Sequence, residues 1–273
     1  NSLTFIGFGG GDANQGRHLQ HDGANFSYST VYTASSNFSN QSASSPDGEI
    51  STEKYLLCGN QLFTVNPKAA PNGVMLYKTL GDTQKDGSAL AADLDGDGTN
   101  EVVVRDVQKR LSVFSVKDNA VLILNSSLPM SSLPAVGDID GDGRDEIVWG
   151  SATLDHNGRI LSATGFGHGD AIHLADHNPD RPGLELFEIH EGSPYGWDLH
   201  DAATGEILFS AEGGSDNGRG IAGNFYEDHR GSTFLSANDR QHRSAVTGSV
   251  VKATTTSMNF RIYWDGDPYE ELL

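Results

Sequence analysis

Two nearly identical aspartate-rich loops, each followed at once by an apolar strand, constrain the fold more than any other feature of the chain. The first loop is Asp93–Glu101, and the second, Asp138–Glu146, begins forty-five residues later. A looser copy begins at Asp176, and a decayed copy begins at Gly223. Repeats of about this length that contain only short strands are typical of propeller blades.

Each repeat contains four predicted strands, and no convincing helix interrupts them. The quartets lie at residues 89–125, 134–164, 171–211 and 220–253. The segment 54–80 supplies only three further strands, and Asn259–Trp264 is a spare strand. We expect the spare strand to pair beside residues 54–80 and to close the ring, because closure removes exposed sheet edges. The sequence therefore predicts an all-β fold, a β-propeller of five blades, or six if residues 1–50 build a blade.

Residues 1–50 differ in composition from residues 51–273, which hold the repeats. They are rich in Gly, Ser and Asn and carry few charges, although the whole chain has a formal net charge of −19. Leu3–Phe8 alternates enough to form one strand. We predict an N-terminal arm at 1–50 and a propeller at 51–273. The arm is either a flexible leader or a segment whose strand docks on a neighbouring subunit.

The spacing Asp-x-Asp-Gly-Asp-Gly-x-x-Glu places carboxylates at alternate positions, and its glycines permit a tight curl. Hard oxygen ligands in a flexible loop suit Ca²⁺. A helical calcium hand needs a glutamate at the twelfth position, which here is Val104 or Trp149. The ninth-position glutamate either completes the shell or turns away. We predict Ca²⁺ ligands in the three copies at Asp93, Asp95, Asp97, Glu101, Asp138, Asp140, Asp142, Glu146, Asp176, Asn178 and Glu185.

Charge, hydropathy and cysteine content exclude several classes of partner and structure. The chain has 18 Lys and Arg against 37 Asp and Glu, which argues against a nucleic-acid partner. It has no apolar run long enough for a membrane span, and its lone cysteine excludes an intramolecular disulfide. No targeting signal is visible at the first residues. Sequons predict glycosylation in an extracellular protein at Asn25, Asn37, Asn40 and Asn125.

A long ordered series of short motifs runs through the second half of the chain. The motifs are GDIDGDGRDEI at 137–147, GFGHGDAIH at 165–173, DRPGLE at 180–185, HE at 190–191, SPYG at 193–196, DAATGEIL at 201–208, GRG at 218–220 and WDGD at 264–267. Over residues 133–273 this series resembles the rhamnogalacturonan lyases of polysaccharide lyase family 11. The resemblance implies a secreted, Ca²⁺-dependent propeller that cleaves the pectin backbone by β-elimination.

The resemblance also implies a site. Such a lyase removes the C5 proton of a galacturonate, and a cation must neutralise the adjacent carboxylate. By resemblance, a Ca²⁺ ion at the mouth of the central channel is surrounded by His168, Asp170, His173, His190 and Glu191. Arg219 is the candidate substrate contact. No catalytic residue is assigned, because residues 1–80 show little of the family pattern and no Lys or Tyr base is carried over.

The combined expectation is an extracellular, Ca²⁺-binding propeller without catalytic activity. It would serve as a glycosylated structural subunit of an extracellular assembly such as a filament, joined head to tail through its N-terminal arm. One alternative is an active rhamnogalacturonan lyase. A second alternative is a carbohydrate-binding module that holds an acidic polysaccharide.

Overall fold

The computed structural model shows a chain built from β-strands. It describes residues 2–6, 15–21, 26–33, 43–44, 54–58, 61–65, 74–79, 89–105, 111–115, 121–124, 134–169, 171–194, 196–253, 261–263, 265 and 267–272. Among these residues no helix is long and apolar enough to cross a membrane.

The chain divides into two compact units, Asn1–Ser126 and Ser127–Leu273. In the first unit, a three-stranded sheet is formed by β1 (Ser2–Ile6), β2 (Gln15–His21) and β3 (Phe26–Thr33). The next sheet is formed by β4 (Ala43–Ser44), β5 (Lys54–Cys58), β6 (Gln61–Val65) and β7 (Val74–Thr79). The third sheet is formed by β8 (Ala89–Ala92), β9 (Glu101–Arg105), β10 (Leu111–Phe114) and β11 (Val121–Leu124).

The second unit contains three four-stranded sheets and a shorter one. Its first sheet is formed by β12 (Pro134–Gly137), β13 (Glu146–Trp149), β14 (Ala152–Leu154) and β15 (Ile160–Ala163). The second is formed by β16 (Ala171–Ala175), β17 (Glu185–His190), β18 (Gly196–Asp201) and β19 (Ile207–Ala211). The third is formed by β20 (Gly220–Gly223), β21 (Thr233–Ser236), β22 (Gln241–Ser244) and β23 (Val250–Ala253). The shorter sheet pairs β24 (Arg261–Ile262) with β25 (Glu271–Leu272).

The core of the second unit lies between successive sheets, and β17 shows this because both of its faces are buried. On one face Leu186 packs with Val148 of the preceding sheet. On the other face Phe187 packs with Phe234 of the following sheet, with ring centroids 4.9 Å apart. Apolar side chains on the two faces of β17 therefore pack three consecutive sheets against one another, face to face.

The all-β prediction is confirmed, and the four predicted strand quartets correspond to four antiparallel sheets. Every strand in them pairs with its neighbour in sequence, from β8 to β23. The repeat also fixes the place of each aspartate loop, because the loop joins the first and second strands of its sheet. The sequence therefore predicts the sheets and their order correctly.

The predicted pairing of Asn259–Trp264 with the strands of residues 54–80 is wrong. Within the described residues, β24 pairs with β25, and β4 supplies the fourth strand beside β5. The reason is visible in the loop after β24, where Asp265 and Asp267 repeat the spacing of Asp95 and Asp97. The segment 261–272 is thus the first strand, the loop and the second strand of another repeat.

The strand predicted near the N-terminus exists but has a partner within the chain. It lies at Ser2–Ile6 and pairs along its whole length with β2. The boundary predicted at residue 50 falls between β4 and β5, which pair through Ala43 and Leu56. The division into an arm at 1–50 and a propeller at 51–273 stays a prediction.

Candidate functional site

The second aspartate loop is closed by its own side chains. Asp138 accepts hydrogen bonds from the backbone N–H groups of Gly141 at 2.9 Å and of Gly143 at 3.1 Å. Both glycines have positive φ, 80° and 88°, which side chains rarely permit. The resulting curl brings oxygens of Asp138, Asp140 and Glu146 within 4.8 Å of one another.

The first loop repeats this geometry in its own sheet. Asp93 accepts the N–H of Gly96 at 2.9 Å and that of Gly98 at 2.8 Å. Oxygens of Asp93, Asp95 and Glu101 again lie within 4.8 Å of one another. Two loops in different repeats therefore gather the first, third and ninth carboxylates in the same way.

The fifth-position aspartates cap the ends of the loops. Asp97 and Asp142 each accept the backbone N–H of the residue two positions on, at 2.9 Å. Oxygens of Asp142 and Glu146 also lie within 4.8 Å of a nitrogen of His156. His156 was not predicted, because it lies outside the loop motif.

A buried glutamate at the ninth position of each of these loops accepts a backbone hydrogen bond from its own loop. Glu101 accepts the Leu94 N–H at 3.1 Å, and Glu146 accepts the Ile139 N–H at 2.8 Å, each through Oε2. The pKa of Glu101 is raised to about 7, chiefly by burial and also by the nearby aspartates, against the opposing effect of the Leu94 bond. Burial also raises the pKa of Glu146, whose Oε1 has no hydrogen-bond partner.

The third copy keeps the ninth-position glutamate, but its described side chains do not form a compact group of three ligands. Glu185 is fully buried, and its Oε2 accepts the N–H groups of His177 and Asn178, both at 2.9 Å. Its Oε1 has no hydrogen-bond partner. Asp176 is exposed, and among the described residues no group of three ligands gathers around it.

The fourth copy replaces the ninth-position glutamate with one from elsewhere in the chain. Thr233 occupies its strand position, since Thr233 pairs with Gly223 as Glu146 pairs with Gly137. The carboxylate comes instead from Glu270, whose Oε2 accepts the N–H of Asn224 at 3.0 Å.

The second oxygen of that glutamate has a cation beside it. Glu270 Oε1 lies 3.3 Å from Nη1 of Arg261, which also donates to the carbonyl of Ala222 at 3.0 Å. In the fourth copy a guanidinium therefore lies beside Oε1 of the glutamate. The corresponding oxygens of Glu146 and Glu185 have no hydrogen-bond partner among the described residues.

The loop after β24 is a partial copy. Asp265 accepts the N–H of Asp267 at 3.2 Å, and Asp267 accepts the N–H of Tyr269 at 2.7 Å. Oxygens of Asp265, Asp267 and Glu271 lie within 4.8 Å of one another. Tyr263 stands in place of the first aspartate, so this copy lacks the residue that curls the other loops.

The residues assigned by resemblance make different contacts in the structure. His168 and Glu191 do meet, with 2.6 Å between Nδ1 and Oε2. The backbone holds them together, since the Glu191 N–H donates to the His168 carbonyl at 3.0 Å. Their side chains are 36% and 46% exposed, although the Nδ1 atom of His168 is itself buried. Asp170 lies outside the described residues.

The other two histidines turn into the protein. His173 Nε2 lies 3.2 Å from the Gly220 carbonyl oxygen, and burial lowers the pKa of His173 to about 4. His190 is 3% exposed, and its Nε2 lies 2.6 Å from Oδ2 of Asp198. Of the five predicted residues, His168 and Glu191 are in contact, and His173 and His190 contact Gly220 and Asp198; the site of five residues stays a prediction.

Arg219 is exposed, as a substrate contact requires. Its Nη1 donates to the carbonyl of the preceding Gly218 at 3.0 Å. The four sequon asparagines, Asn25, Asn37, Asn40 and Asn125, lie outside the described residues. Sequence reasoning missed Glu188, Asp198 and His200, although their alternation with apolar residues in β17 and β18 places them on a common face.

Residues 131–273 match the family model described as rhamnogalacturonan lyase family 11, C-terminal domain. The chain belongs to rhamnogalacturonan lyase family 11. The rhamnogalacturonan exolyase YesX of Bacillus subtilis is 44% identical over 148 residues, which are 51% of this chain and 24% of that protein. The rhamnogalacturonan endolyase YesW of the same organism is 43% identical over 142 residues, 51% of this chain and 22% of that protein.

Solved structures of this family resemble the whole chain. The Bacillus licheniformis rhamnogalacturonan lyase PL11 superposes with a TM-score of 0.64 at 26% identity and covers 100% of this chain. The match covers 49% of that lyase, so this family member spans about half the length of its solved relative. The exotype lyase YesX superposes with a TM-score of 0.64 at 26% identity over 94% of this chain and 47% of the relative.

Proposed function

We propose that this family member is an extracellular, Ca²⁺-binding β-propeller that recognises rhamnogalacturonan. The observation that carries the proposal is the exposed His168–Glu191 pair, which lies inside the segment that matches the lyases. An imidazole and a carboxylate at 2.6 Å offer a mixed pair of ligands at the surface. Arg219 would add a positive charge for the carboxylate of a galacturonate.

The aspartate loops fit Ca²⁺ better than a transition metal. Their described donors are carboxylate oxygens, and the first two loops gather three of them within 4.8 Å. In the fourth copy the supporting glutamate has Arg261 beside its second oxygen, whereas in Glu146 and Glu185 that oxygen has no hydrogen-bond partner among the described residues, with His156 Nδ1 3.8 Å from the one in Glu146. A buried, unpaired carboxylate oxygen is costly unless a cation neutralises it, so Ca²⁺ would take the position that the guanidinium takes in the fourth copy.

The ligands of these ions would be those predicted from the sequence. They are Asp93, Asp95, Asp97 and Glu101 in the first loop, Asp138, Asp140, Asp142 and Glu146 in the second, and Asp176, Asn178 and Glu185 in the third. Exposed loops of this type suit the high Ca²⁺ concentrations outside cells. The ions would pin the turn between the first two strands of each sheet.

The repeated sheets support the propeller proposal. Four-stranded antiparallel meanders follow one another along the chain, and three of them stack face to face around β17. Blades of a propeller have this construction. Five blades would correspond to the five four-stranded sheets, and β1–β3 would supply the sixth blade of the alternative; β24 and β25 lie outside these sheets and begin a further repeat.

Calcium-dependent sugar binding tests the proposed function. Rhamnogalacturonan oligosaccharides are titrated into the protein by calorimetry, in Ca²⁺ and in EDTA. Losing a charged hydrogen bond costs about 1.5–3 kcal/mol, so Glu191→Gln should weaken binding roughly 10- to 100-fold. Glu212→Gln, which changes an exposed glutamate of the same unit, is the matched control. Equal affinity in EDTA and in Glu191→Gln would contradict the proposal.

Cleavage is the second candidate function, because the relatives named as lyases are 43–44% identical to the matching half. A cation held by His168, Glu191 and Asp170 would neutralise the galacturonate carboxylate and so acidify its C5 proton. The growth of unsaturated-uronate absorbance in Ca²⁺ would establish the reaction. Tight binding without that absorbance would leave recognition as the function.

The role as a glycosylated structural subunit of an assembly stays a prediction. This role required the first strand to pair with a strand of another subunit, yet β1 pairs with β2 of the same chain. In this three-stranded sheet β1 and β3 are the edge strands, which a second copy could extend. Deletion of residues 1–24 followed by size-exclusion chromatography tests the role, since assembly through this segment predicts a folded monomer.

A further inference from the structure

A cluster of four polar side chains lies inside the second unit, away from the aspartate loops. Glu188 and His190 belong to β17, and Asp198 and His200 belong to β18. Glu188 lies opposite Asp198 in the sheet register. Because side chains alternate along a strand, the four point to the same face of the sheet.

All four residues of this cluster are buried, with exposures of 0% for Glu188 and Asp198, 3% for His190 and 2% for His200. Asp198 lies between the two imidazoles, 2.6 Å from His190 Nε2 and 2.5 Å from His200 Nδ1. Burial alone would raise the pKa of Asp198, but these two imidazoles lower it. Its Oδ1 is hydrogen-bonded to His200, whereas Oδ2 has no hydrogen-bond partner among the described residues.

Glu188 is the member of the cluster whose two carboxylate oxygens both lack a hydrogen-bond partner among the described residues. An ionised carboxylate would need donors there, and a protonated one would need an acceptor for its O–H group. Among the described residues neither protonation state has a partner, which is costly for a fully buried group.

The segment before β16 covers the cluster. The ring of Phe166 lies over His190, with centroids 4.6 Å apart. A Cβ atom added at Gly169 would lie 1.9 Å from the Ile189 carbonyl oxygen and 3.1 Å from Glu188 Oε1. Only glycine permits so close an approach of the backbone at this position to β17.

Oxygen and nitrogen atoms of Glu188, His190 and Asp198 lie within 4.8 Å of one another. We propose that these three side chains bind a divalent transition metal ion of the Zn²⁺ type. Two carboxylates and one imidazole are ligands that Zn²⁺ takes in proteins, whereas Ca²⁺ requires six to eight oxygens. His200 would orient Asp198 from behind, as second-shell hydrogen bonds do at metal sites. The ion would satisfy Glu188 and add rigidity to the packing of β17 and β18.

Zinc retention in the presence of Ca²⁺ tests this site. The purified chain is stripped with EDTA, saturated with Ca²⁺, given equimolar Zn²⁺, passed through gel filtration and analysed by mass spectrometry of its metals. We expect retained zinc, and we expect Glu188→Gln to lower zinc affinity more than about 100-fold, because even second-shell changes cost 10- to 100-fold.

Two control variants locate the bound ion. His242→Gln removes a histidine that is 1% exposed in the neighbouring sheet and should leave zinc retention unchanged. His168→Gln tests the exposed pair, and a loss of zinc in that variant would overturn the proposal. Wild-type protein that retains no zinc, or Glu188→Gln protein that retains it fully, would also overturn it.

If Glu188→Gln does not fold, X-ray absorption at the zinc edge of the wild-type protein decides. A first shell of nitrogen and oxygen at about 2.0–2.1 Å with imidazole scattering agrees with the site. A shell of water oxygens alone contradicts it.

Discussion

Replacing Glu101 by Gln should have opposite effects in the absence and in the presence of Ca²⁺. Glu101 is 8% exposed, and its pKa is raised to about 7, first by burial and then by the neighbouring aspartates. Gln keeps an oxygen that can accept the Leu94 N–H, now at 3.1 Å. The substitution therefore removes the charge and retains the shape.

The raised pKa of Glu101 sets the size of the expected change in stability. Between the ordinary value of 4.5 and about 7, the folded state binds more protons than the unfolded state, so stability falls as pH rises. At about 1.4 kcal/mol per pH unit, the raised pKa of Glu101 lowers the free energy of unfolding by about 3 kcal/mol at pH 8 and by about 1 kcal/mol at pH 5. Glu101→Gln should recover most of this in EDTA at pH 8, because it removes the buried charge.

Hydrogen exchange followed by mass spectrometry on peptides from residues 89–105 measures this effect. In EDTA at pH 8 the variant should exchange roughly 100-fold more slowly than the wild type. At pH 5 the difference should shrink to a fewfold, which is the internal control. In saturating Ca²⁺ the order should reverse, because bound Ca²⁺ stabilises only the loop that keeps its ligand.

Faster exchange of Glu101→Gln in EDTA at pH 8 would refute this reasoning. It would mean that the carboxylate stabilises the loop without a cation.

Two further predictions concern the second unit. Gly196→Ala should destabilise it by about 3 kcal/mol or more, because Gly196 has a φ of 108° and an added Cβ would lie 1.9 Å from the Ala211 carbonyl oxygen. Urea unfolding followed by tryptophan fluorescence measures this, and Gly214→Ala, which meets no atom within 4 Å, should change little. Glu270→Ala should speed exchange of the Asn224 amide, which donates to Glu270 at 3.0 Å, by an amount worth about 1–3 kcal/mol. Glu270→Gln keeps the acceptor and should do so much less; equal effects of the two variants would contradict the assigned contact.

The aspartate loops could be predicted from sequence because their geometry is local. Asp138 and the glycines that it binds lie within five residues of one another, so the spacing alone encodes the curl. Strand order was equally local, since each strand pairs with its neighbour in sequence.

Some contacts that sequence reasoning missed join segments that are distant in sequence. The carboxylate of Glu270 reaches the fourth loop across 46 residues, and no motif marks that pairing. His173 and His190 stood within the family motifs, but their positions in β16 and β17 turn them towards Gly220 and Asp198. Which face of a strand meets the core depends on the neighbouring sheet, which the local sequence does not state.

Bound calcium in the intact protein tests the central claim most directly. The purified chain is equilibrated with Ca²⁺, passed through metal-free gel filtration, and analysed for calcium beside the single variants Asp93→Asn and Asp138→Asn. Each aspartate curls its loop through two backbone bonds, so we expect retained calcium in the wild type and less in each variant. We also expect EDTA to lower the melting temperature of the wild type. Wild-type protein that holds no calcium and melts at the same temperature in EDTA would contradict the account.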